Sequence, residues 1–345
     1  MSGSSETNRT KNGVAMHRLW RCPACRSELR DHATLLACLG CARKFAVVSG
    51  IPDFRLTIPD FLDRDADMAL AAELAASSLP LEEMVRTVYS RRLDWDQARI
   101  ELRTRGVLTA RENLHDDWRG WLKPVIDAGP FLDLGCGGGM LMAAAADLQP
   151  GLPVIGIDVS MTWLVVAQKY VRDRGAEPTL AAAMAEALPL GDASIPAIVS
   201  LDVIEHVDNP DAYLSEINRV LEPGGRLALS TPNRFSLTAE PHVQVWGVGW
   251  LPQSLQAAWV RKRSGKAYDG TVLMSSFLLA RRLRRMTQLR FRIQVPRIPP
   301  AHIKRFSAGK GRLAVAYNAI SQAAILRPLF LLIGPFFQVV GWKRA

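Results

Sequence analysis

Four cysteines and one glycine cluster are the residues of this chain whose types and spacing could do chemistry. The stretch "CPACRSELRDHATLLACLGC" sets Cys22, Cys25, Cys38 and Cys41 as C-x2-C, twelve residues, C-x2-C. Each pair forms a knuckle whose tight turn points two thiolates at a common point, and two knuckles complete a closed tetrahedral site for a structural Zn2+. Four thiolates leave no open coordination position, so catalysis by that ion is not expected. Further on, "FLDLGCGGGM" follows a carboxylate at Asp133 with Gly135, Gly137 and Gly139 at a strand-to-helix turn. Glycine serves there because a Cβ would hold the chain away from a nucleotide and forbid positive φ. A second strand, "PVIGIDVS", ends in Asp158, nineteen residues beyond Gly139 and set to accept both ribose hydroxyls.

Asp133 discriminates between nucleotides. A carboxylate just before the first glycine would repel the pyrophosphate of a dinucleotide, whereas it would attract the free ammonium of an amino-acid moiety. The pattern therefore fits S-adenosylmethionine. Together with "MAEALPLGDASIPAIVSLDVIEHVDNP" and "LEPGGRLALSTPNR", these residues make the region from Gly106 to Pro296 resemble the class I S-adenosylmethionine-dependent methyltransferases. The resemblance implies an α/β fold, a Rossmann-like seven-stranded methyltransferase sheet with helices on both faces. It also implies that Asp133, Gly135, Gly137 and Gly139 line the methionine and ribose side of the methyl donor and that Asp158 holds the ribose. Ala185 and Glu186 fall on the adenine-loop positions, and Met184 stands where the family often has an acid for the adenine amino group.

"LDVIEHV" places Asp202, Glu205 and His206 at a strand end, beside the expected position of the sulfonium methyl, and Asp202 is counted with the cofactor-binding residues. Similar acid-x-x-Glu-His motifs in the ubiquinone-pathway O-methyltransferases bind a divalent metal; by that resemblance Asp202, Glu205 and His206 would hold Mg2+. Two other readings stand beside it. His206 can act as a general base, its ordinary pKa lying near neutrality, or Glu205 and His206 can simply cap the next helix. His242 is a reserve base. Trp246 and Trp250 on a glycine-broken loop suit either a flat, greasy acceptor or the core.

The elements that position these residues divide the chain. Residues 1–19 are polar and expected to be a disordered tail, and 20–57 form the small zinc ribbon. The ribbon with its following "GIPDF" resembles the module fused to, or partnering, bacterial and RNA methyltransferases. Residues 58–105 read as a helical connector of two or three helices, 106–300 as the methyltransferase domain, and 301–345 as a basic and apolar C-terminal tail. The spacing in "SSFLLARRLRRMTQLRFRI" predicts one helix with Leu279, Leu283, Met286, Leu289 and Ile293 along an apolar stripe.

Composition bounds the whole. A chain of 345 residues that is 48% hydrophobic can fill a substantial core, which excludes a disordered protein. Five cysteines in this arrangement exclude a disulfide framework, and the polar start lacks a secretory signal, so a cytoplasmic location is expected. From Pro241 onward there are 18 Lys and Arg against a single acid, Asp269, a net +17, while the remainder carries −7. That basic half should be drawn to a polyanion. In "AAILRPLFLLIGPFFQVVGW" only fifteen residues separate Arg327 from Lys343, fewer than the ~20 needed to span a bilayer. The stretch is expected either to dip as an apolar hairpin into the inner leaflet, making the protein peripheral on an anionic membrane, or to pack on its own domain or a partner. The function expected is methylation, at oxygen, of a small-molecule or lipid-linked acceptor. The alternatives are an RNA methyltransferase whose ribbon and basic surface grip phosphate, and a non-catalytic cofactor-binding scaffold.

Overall fold

The computed structural model describes residues 19–345 except 33, 93, 94 and 305. Residues 1–18 of the expected disordered tail therefore lie outside the described residues. The chain opens with a small antiparallel sheet of β1 (Leu29–His32), β2 (Leu35–Cys38), β3 (Lys44–Val48) and β4 (Ile51–Pro52), in that order. Cys22 and Cys25 sit before β1, Cys38 ends β2 and Cys41 lies in the turn between β2 and β3. Behind them Trp20, Phe45 and Phe54 are buried, with ring centroids 5.6 Å apart for Trp20 and Phe54 and 5.0 Å apart for Phe45 and Phe54. Such a sheet buries too little on its own, so it needs a metal or a neighbour.

The neighbour is the main sheet, formed by β5 (Phe131–Leu134), β6 (Val154–Asp158), β7 (Thr179–Ala182), β8 (Ile195–Leu201), β9 (Leu221–Pro232), β10 (Leu289–Gln294) and β11 (Phe336–Lys343). Their spatial order is β10-β11-β9-β8-β5-β6-β7, with β11 antiparallel to both its neighbours and β5 to β9 running parallel. The ribbon adds to the β7 edge: Asp53 bridges Ala182 in parallel, and the Phe54 amide donates to the Ala182 carbonyl at 2.7 Å. An otherwise open edge is thereby covered.

Three helices join ribbon to sheet, α1 (Arg64–Ala76), α2 (Leu81–Ser90) and α3 (Gln97–Asp117). Asp63 and Asp96 cap α1 and α3, each accepting backbone amides of the first turn. The expected boundary after residue 105 falls inside α3, which runs on through a π-helical turn at Trp118–Leu122 into α4 (Lys123–Ile126). Around the sheet lie α5 (Met140–Leu148), α6 (Met161–Arg172), α7 (Pro210–Val220), α8 (Gln253–Ser264) and α9 (Ser276–Leu283), then α10 (Pro300–Lys304), α11 (Ala308–Ser321) and α12 (Arg327–Ile333).

Two expectations are corrected here. The apolar stripe from Leu279 to Ile293 is not one helix: α9 ends at Leu283, and Leu289 and Ile293 lie on β10. The alternation in "LRFRIQ" has the period of a strand, which coincided with the helical spacing over the preceding residues. The sheet also extends beyond residue 300, because Phe336–Lys343 inserts between β9 and β10 with Phe337 and Val339 fully buried. That half of the apolar stretch is core strand, not a hairpin in a leaflet. No helix among the described residues is long and apolar enough to cross a membrane.

Candidate functional site

Strand order reverses beside β5, where β6 lies on one side and β8 on the other, and the crevice at the carboxyl ends of these strands gathers the chemistry. Asp133, next to last in β5, is 4% exposed, and its Oδ2 has no hydrogen-bond partner. Burial, with Asp158 adding repulsion, pushes its pKa up to about 8. A buried carboxylate oxygen left unpaired fits a cationic ligand group, because a positive charge there would restore the ionised form. The glycine turn has the backbone conformation such a cradle needs. At Gly135, φ +80°, a Cβ would come within 2.2 Å of Val203 Cγ2, whereas at Gly137, φ +49°, it would enter open space within 4 Å of nothing. The Gly137 amide donates to Asp158 Oδ2 at 2.8 Å and the Ser160 amide to Asp158 Oδ1 at 2.9 Å, so Asp158 is fixed at the end of β6. Gly139, at φ +77°, caps α5.

The Asp158 loop is clasped from behind by residues that the sequence reading missed. Asp67 on α1 accepts from the Ser160 hydroxyl at 2.8 Å and from the Met161 and Thr162 amides at 2.9 and 3.1 Å, occupying the N-terminus of α6. Arg55, fully buried with it, donates to Asp67 Oδ2 at 2.7 Å, to the Val159 carbonyl at 3.0 Å and to both oxygens of Asp53. Ribbon, connector and Asp158 loop thus share a single network of ion pairs and hydrogen bonds. The spacing D-F-R in "IPDFR" was visible, but nothing local showed that its partner would come from α1.

On the adenine side, Glu186 is engaged elsewhere. Its Oε1 accepts from the Asp208 and Asn209 amides at 3.0 and 3.3 Å, tying the loop before α7, and Ala185 packs half-buried against the core. Asp202 adopts φ +56°, a left-handed conformation costing about 1–2 kcal/mol for a non-glycine residue, and its Oδ1 accepts from the Ser230 hydroxyl at 2.7 Å.

His206 and His242, 36 residues apart, meet with Nε2 atoms 3.0 Å apart. The Nδ1 of His206 lies 3.2 Å from the Gly270 carbonyl, and the Nδ1 of His242 contacts Glu240 Oε1. Glu240 is 5% exposed, and its Oε2 also accepts the His242 and Val243 amides at 2.9 Å. Glu240 was not singled out in the sequence, although an acid two residues before a histidine was a signal available there. Burial, and then the neighbouring imidazole, lowers the pKa of His206. Glu205 is buried; its Oε2 accepts from Thr231 Oγ1 at 2.9 Å, while Oε1 has no partner, and burial reinforced by Asp202 drives its pKa well up. Asp117, delivered by the end of α3 and bonded by Trp121 Nε1 at 3.0 Å, is raised to about 6 by burial, with Asp202 among its repelling neighbours.

One donor atom from each of Glu205, His206 and His242 lies within 4.8 Å of the others. This group differs from the expected Mg2+ set. Asp202 is outside the group, and two imidazoles with one carboxylate suit a transition ion, whereas Mg2+ requires oxygen ligands. The four ribbon thiols form the other group: Cys22 and Cys41 sulfurs stand 3.6 Å apart and Cys25 and Cys38 sulfurs 3.3 Å apart. These separations exceed a disulfide bond of about 2.05 Å and approach the edge of a tetrahedron with metal–sulfur bonds of about 2.3 Å. The Gly40 and Cys41 amides donate to Cys38 Sγ, as they would to a thiolate.

Residues 132–229 match the family model described as "Methyltransferase domain". The chain is 33% identical over 129 residues to the ubiquinone biosynthesis O-methyltransferase of Parvibaculum lavamentivorans, covering 36% of this chain and 49% of that protein. It is 36% identical over 104 residues to the enzyme of the same name from Brucella ovis, covering 30% and 41%. The chain spans about half the length of the curated relatives it matches. Among solved structures, the Mesorhizobium loti S-adenosylmethionine-dependent methyltransferase aligns with TM-score 0.46 at 18% identity, over 66% of this chain and 98% of that one. A structure of the Haloferax volcanii Trm112 methyltransferase activator with a methyltransferase aligns with TM-score 0.45 at 17% identity, over 70% and 94%. The family match, the unpaired Asp133, the glycine cradle and the seven-stranded order agree in giving residues 132–229 and the sheet around them the character of a class I S-adenosylmethionine-dependent methyltransferase domain.

Proposed function

We propose that the protein transfers the methyl group of S-adenosylmethionine to an oxygen of a small-molecule or lipid-linked acceptor. The observation that supports this most is the His206–His242 contact at the carboxyl end of the sheet, backed by the buried Glu240. Bound S-adenosylmethionine supplies an electrophilic methyl, which an acceptor oxygen attacks in line as the carbon–sulfur bond breaks. Asp133 would hold the ammonium, Asp158 the ribose, and the open space at Gly137 the cofactor's approach to the backbone. The protein's remaining task is to align the acceptor and take its hydroxyl proton. With both Nδ1 atoms donating, to the Gly270 carbonyl and to Glu240, the two Nε2 atoms 3.0 Å apart would share one further proton, which is the state of the pair once it has taken the acceptor's proton. The Glu240 carboxylate balances the resulting charge. Before transfer, one Nε2 is free to face the acceptor.

A metal reading is favoured by one observation: Glu205 Oε1 is unpartnered while both Nδ1 atoms are anchored, as in metal-ligating histidines. We assign the ribbon thiols to a structural Zn2+. Elemental analysis of purified protein separates the readings, since a single zinc per chain speaks for the ribbon alone and a second transition ion for the His206 cluster.

The acceptor class is tested by incubating the protein and methyl-labelled S-adenosylmethionine with extract of the source cells, then separating lipid, small-molecule and RNA fractions. Label in the lipid or small-molecule fraction supports the proposal. Label in RNA overturns it, and no label with intact cofactor binding points to a scaffold.

A further inference from the structure

We propose that an exposed apolar ridge beside the candidate acceptor site docks this protein on an anionic lipid surface. The ridge is made by Leu237, Trp246, Trp250, Leu329 and Leu332, between 47% and 60% exposed. Hydrogen bonds make it continuous. Asn233 Nδ2 donates to the Leu332 and Gly334 carbonyls at 2.9 and 2.8 Å, and the Leu237 amide to the Ile333 carbonyl at 3.1 Å. Trp246 Nε1 reaches the Leu237 carbonyl and Trp250 Nε1 the Ser236 carbonyl, each at 3.1 Å. Both indoles therefore satisfy their N–H inward and leave ring surface outward, an arrangement suited to a boundary between water and acyl chains. A contiguous apolar surface of this kind on an otherwise soluble fold marks an interaction face.

Its place is informative. The ridge begins just beyond the carboxyl end of β9, at the same end of the parallel strands as Asp133 and Asp158, and its tryptophans share a loop with Glu240 and His242. Charge selects the occupant. Residues 270–345 hold 14 Lys and Arg and no acid; Arg282 and Arg285 pair with Asp211 and Lys343 is buried, while α8, which follows Trp250, ends in exposed Arg261, Lys262 and Arg263. A second copy of this chain would set these like charges against one another, whereas anionic headgroups would neutralise them while acyl chains cover the ridge. With no membrane-crossing helix among the described residues, the contact is adsorption to one leaflet. Docking does not require methyl transfer; only the corollary that the acceptor enters from the bilayer rests on the proposed function.

The test is flotation of the full chain with phosphatidylcholine vesicles, with and without about 30 mol% phosphatidylglycerol. S-adenosylhomocysteine affinity is measured in parallel to report the cofactor site. The protein should float with anionic vesicles only and be largely released by about 0.5 M salt. The double variant Leu329→Glu, Leu332→Glu should weaken binding about tenfold or more at unchanged S-adenosylhomocysteine affinity, since both side chains are half exposed. A triple Arg261→Ala, Lys262→Ala, Arg263→Ala variant should weaken binding at low salt and flatten the salt dependence. The proposal is overturned if the protein stays unbound, if neutral and anionic vesicles serve equally, or if the leucine variant binds like the parent. It is equally overturned if the leucine variant merely splits a dimer, which would make the ridge a self-association surface. Loss of S-adenosylhomocysteine binding by the parent chain would instead count against the methyltransferase reading.

Discussion

Burial keeps Asp133 mostly protonated near neutrality, which would make the proposed cofactor binding a proton-linked event. The folded carboxyl titrates at about 8, against about 3.9 in an unfolded chain, so the folded state holds the extra proton between those values. Its contribution to stability is fully present below about pH 4 and is lost as pH rises through about 8. An incoming ammonium reverses the preference by stabilising the ionised form. Affinity for S-adenosylhomocysteine should therefore rise between pH 6 and 8, by at most about tenfold per unit, and Asp133→Asn should bind weakly at every pH with that dependence gone. Calorimetric titration over this range decides it; an unchanged slope in the variant would remove Asp133 from the site. Glu240 makes a second claim at this scale, as a positioning residue acting through His242. Glu240→Gln keeps an acceptor for the His242 and Val243 amides but removes the charge that supports a proton on the imidazole pair. With the acceptor in hand, kcat should fall about 100-fold at similar KM, and the acid limb of the rate profile should move to lower pH. A rate loss without that shift would reduce Glu240 to packing.

Between elements, the clasp of Arg55 and Asp67 ties the ribbon to the loop that presents Asp158. Asp67→Ala would strip the N-terminus of α6 of three acceptor contacts and leave Arg55 with Asp53 as its one carboxylate partner, at a cost of about 2–4 kcal/mol. We expect a lower melting temperature and roughly tenfold weaker S-adenosylhomocysteine binding, partly restored by saturating ligand. Removing the proposed Zn2+ from the ribbon thiols with a chelator should act in the same direction, because Phe54 and Asp53 extend the β7 edge from a sheet too small to hold itself. If apo-ribbon protein bound the ligand as tightly as the parent, the coupling would be absent. Little of this clasp was legible in the sequence. The thiol spacing and the glycine turn are local patterns, each fixed by what a few neighbouring residues must do, and they read directly. Asp67 was one acid among several on a helix, and only the approach of α1 to α6 gives it three donors there, with Arg55 as the fourth. Glu240 and the meeting of His206 with His242 were hidden for the same reason, since contacts across 36 residues leave no periodicity to read.

At the scale of the molecule, the sheet is completed by the last strand of the chain rather than by the sixth in sequence order. The turn of hydrophobicity in "FFQVVGW" resembled a membrane-seeking stretch because a strand buried on both faces is nearly continuous in apolar residues, with no alternation to betray it. Insertion between β9 and β10 also explains its register, from Phe336 opposite Pro232 to Trp342 opposite Arg226 on one side, and from Leu289 opposite Lys343 to Gln294 opposite Gln338 on the other. Lys343 locks the end by donating to the Asn218 and Leu221 carbonyls at 2.7 and 2.8 Å. A chain ending at Gly334 would thus lose two backbone ladders and the burial of Phe337 and Val339, worth about 1.5–3 kcal/mol for each side chain before the ladders are counted. That sum approaches the whole stability of about 5–15 kcal/mol of an ordinary domain, and it would expose edges of both β9 and β10 to other chains. We expect the shortened protein to aggregate or to lose its cooperative thermal transition, together with S-adenosylhomocysteine binding, whereas charged substitutions at Leu329 and Leu332 should leave both intact. A truncated chain that melted cooperatively within a few degrees of the parent would show that β9 and β10 can pair without β11, and the strand order would need to be redrawn.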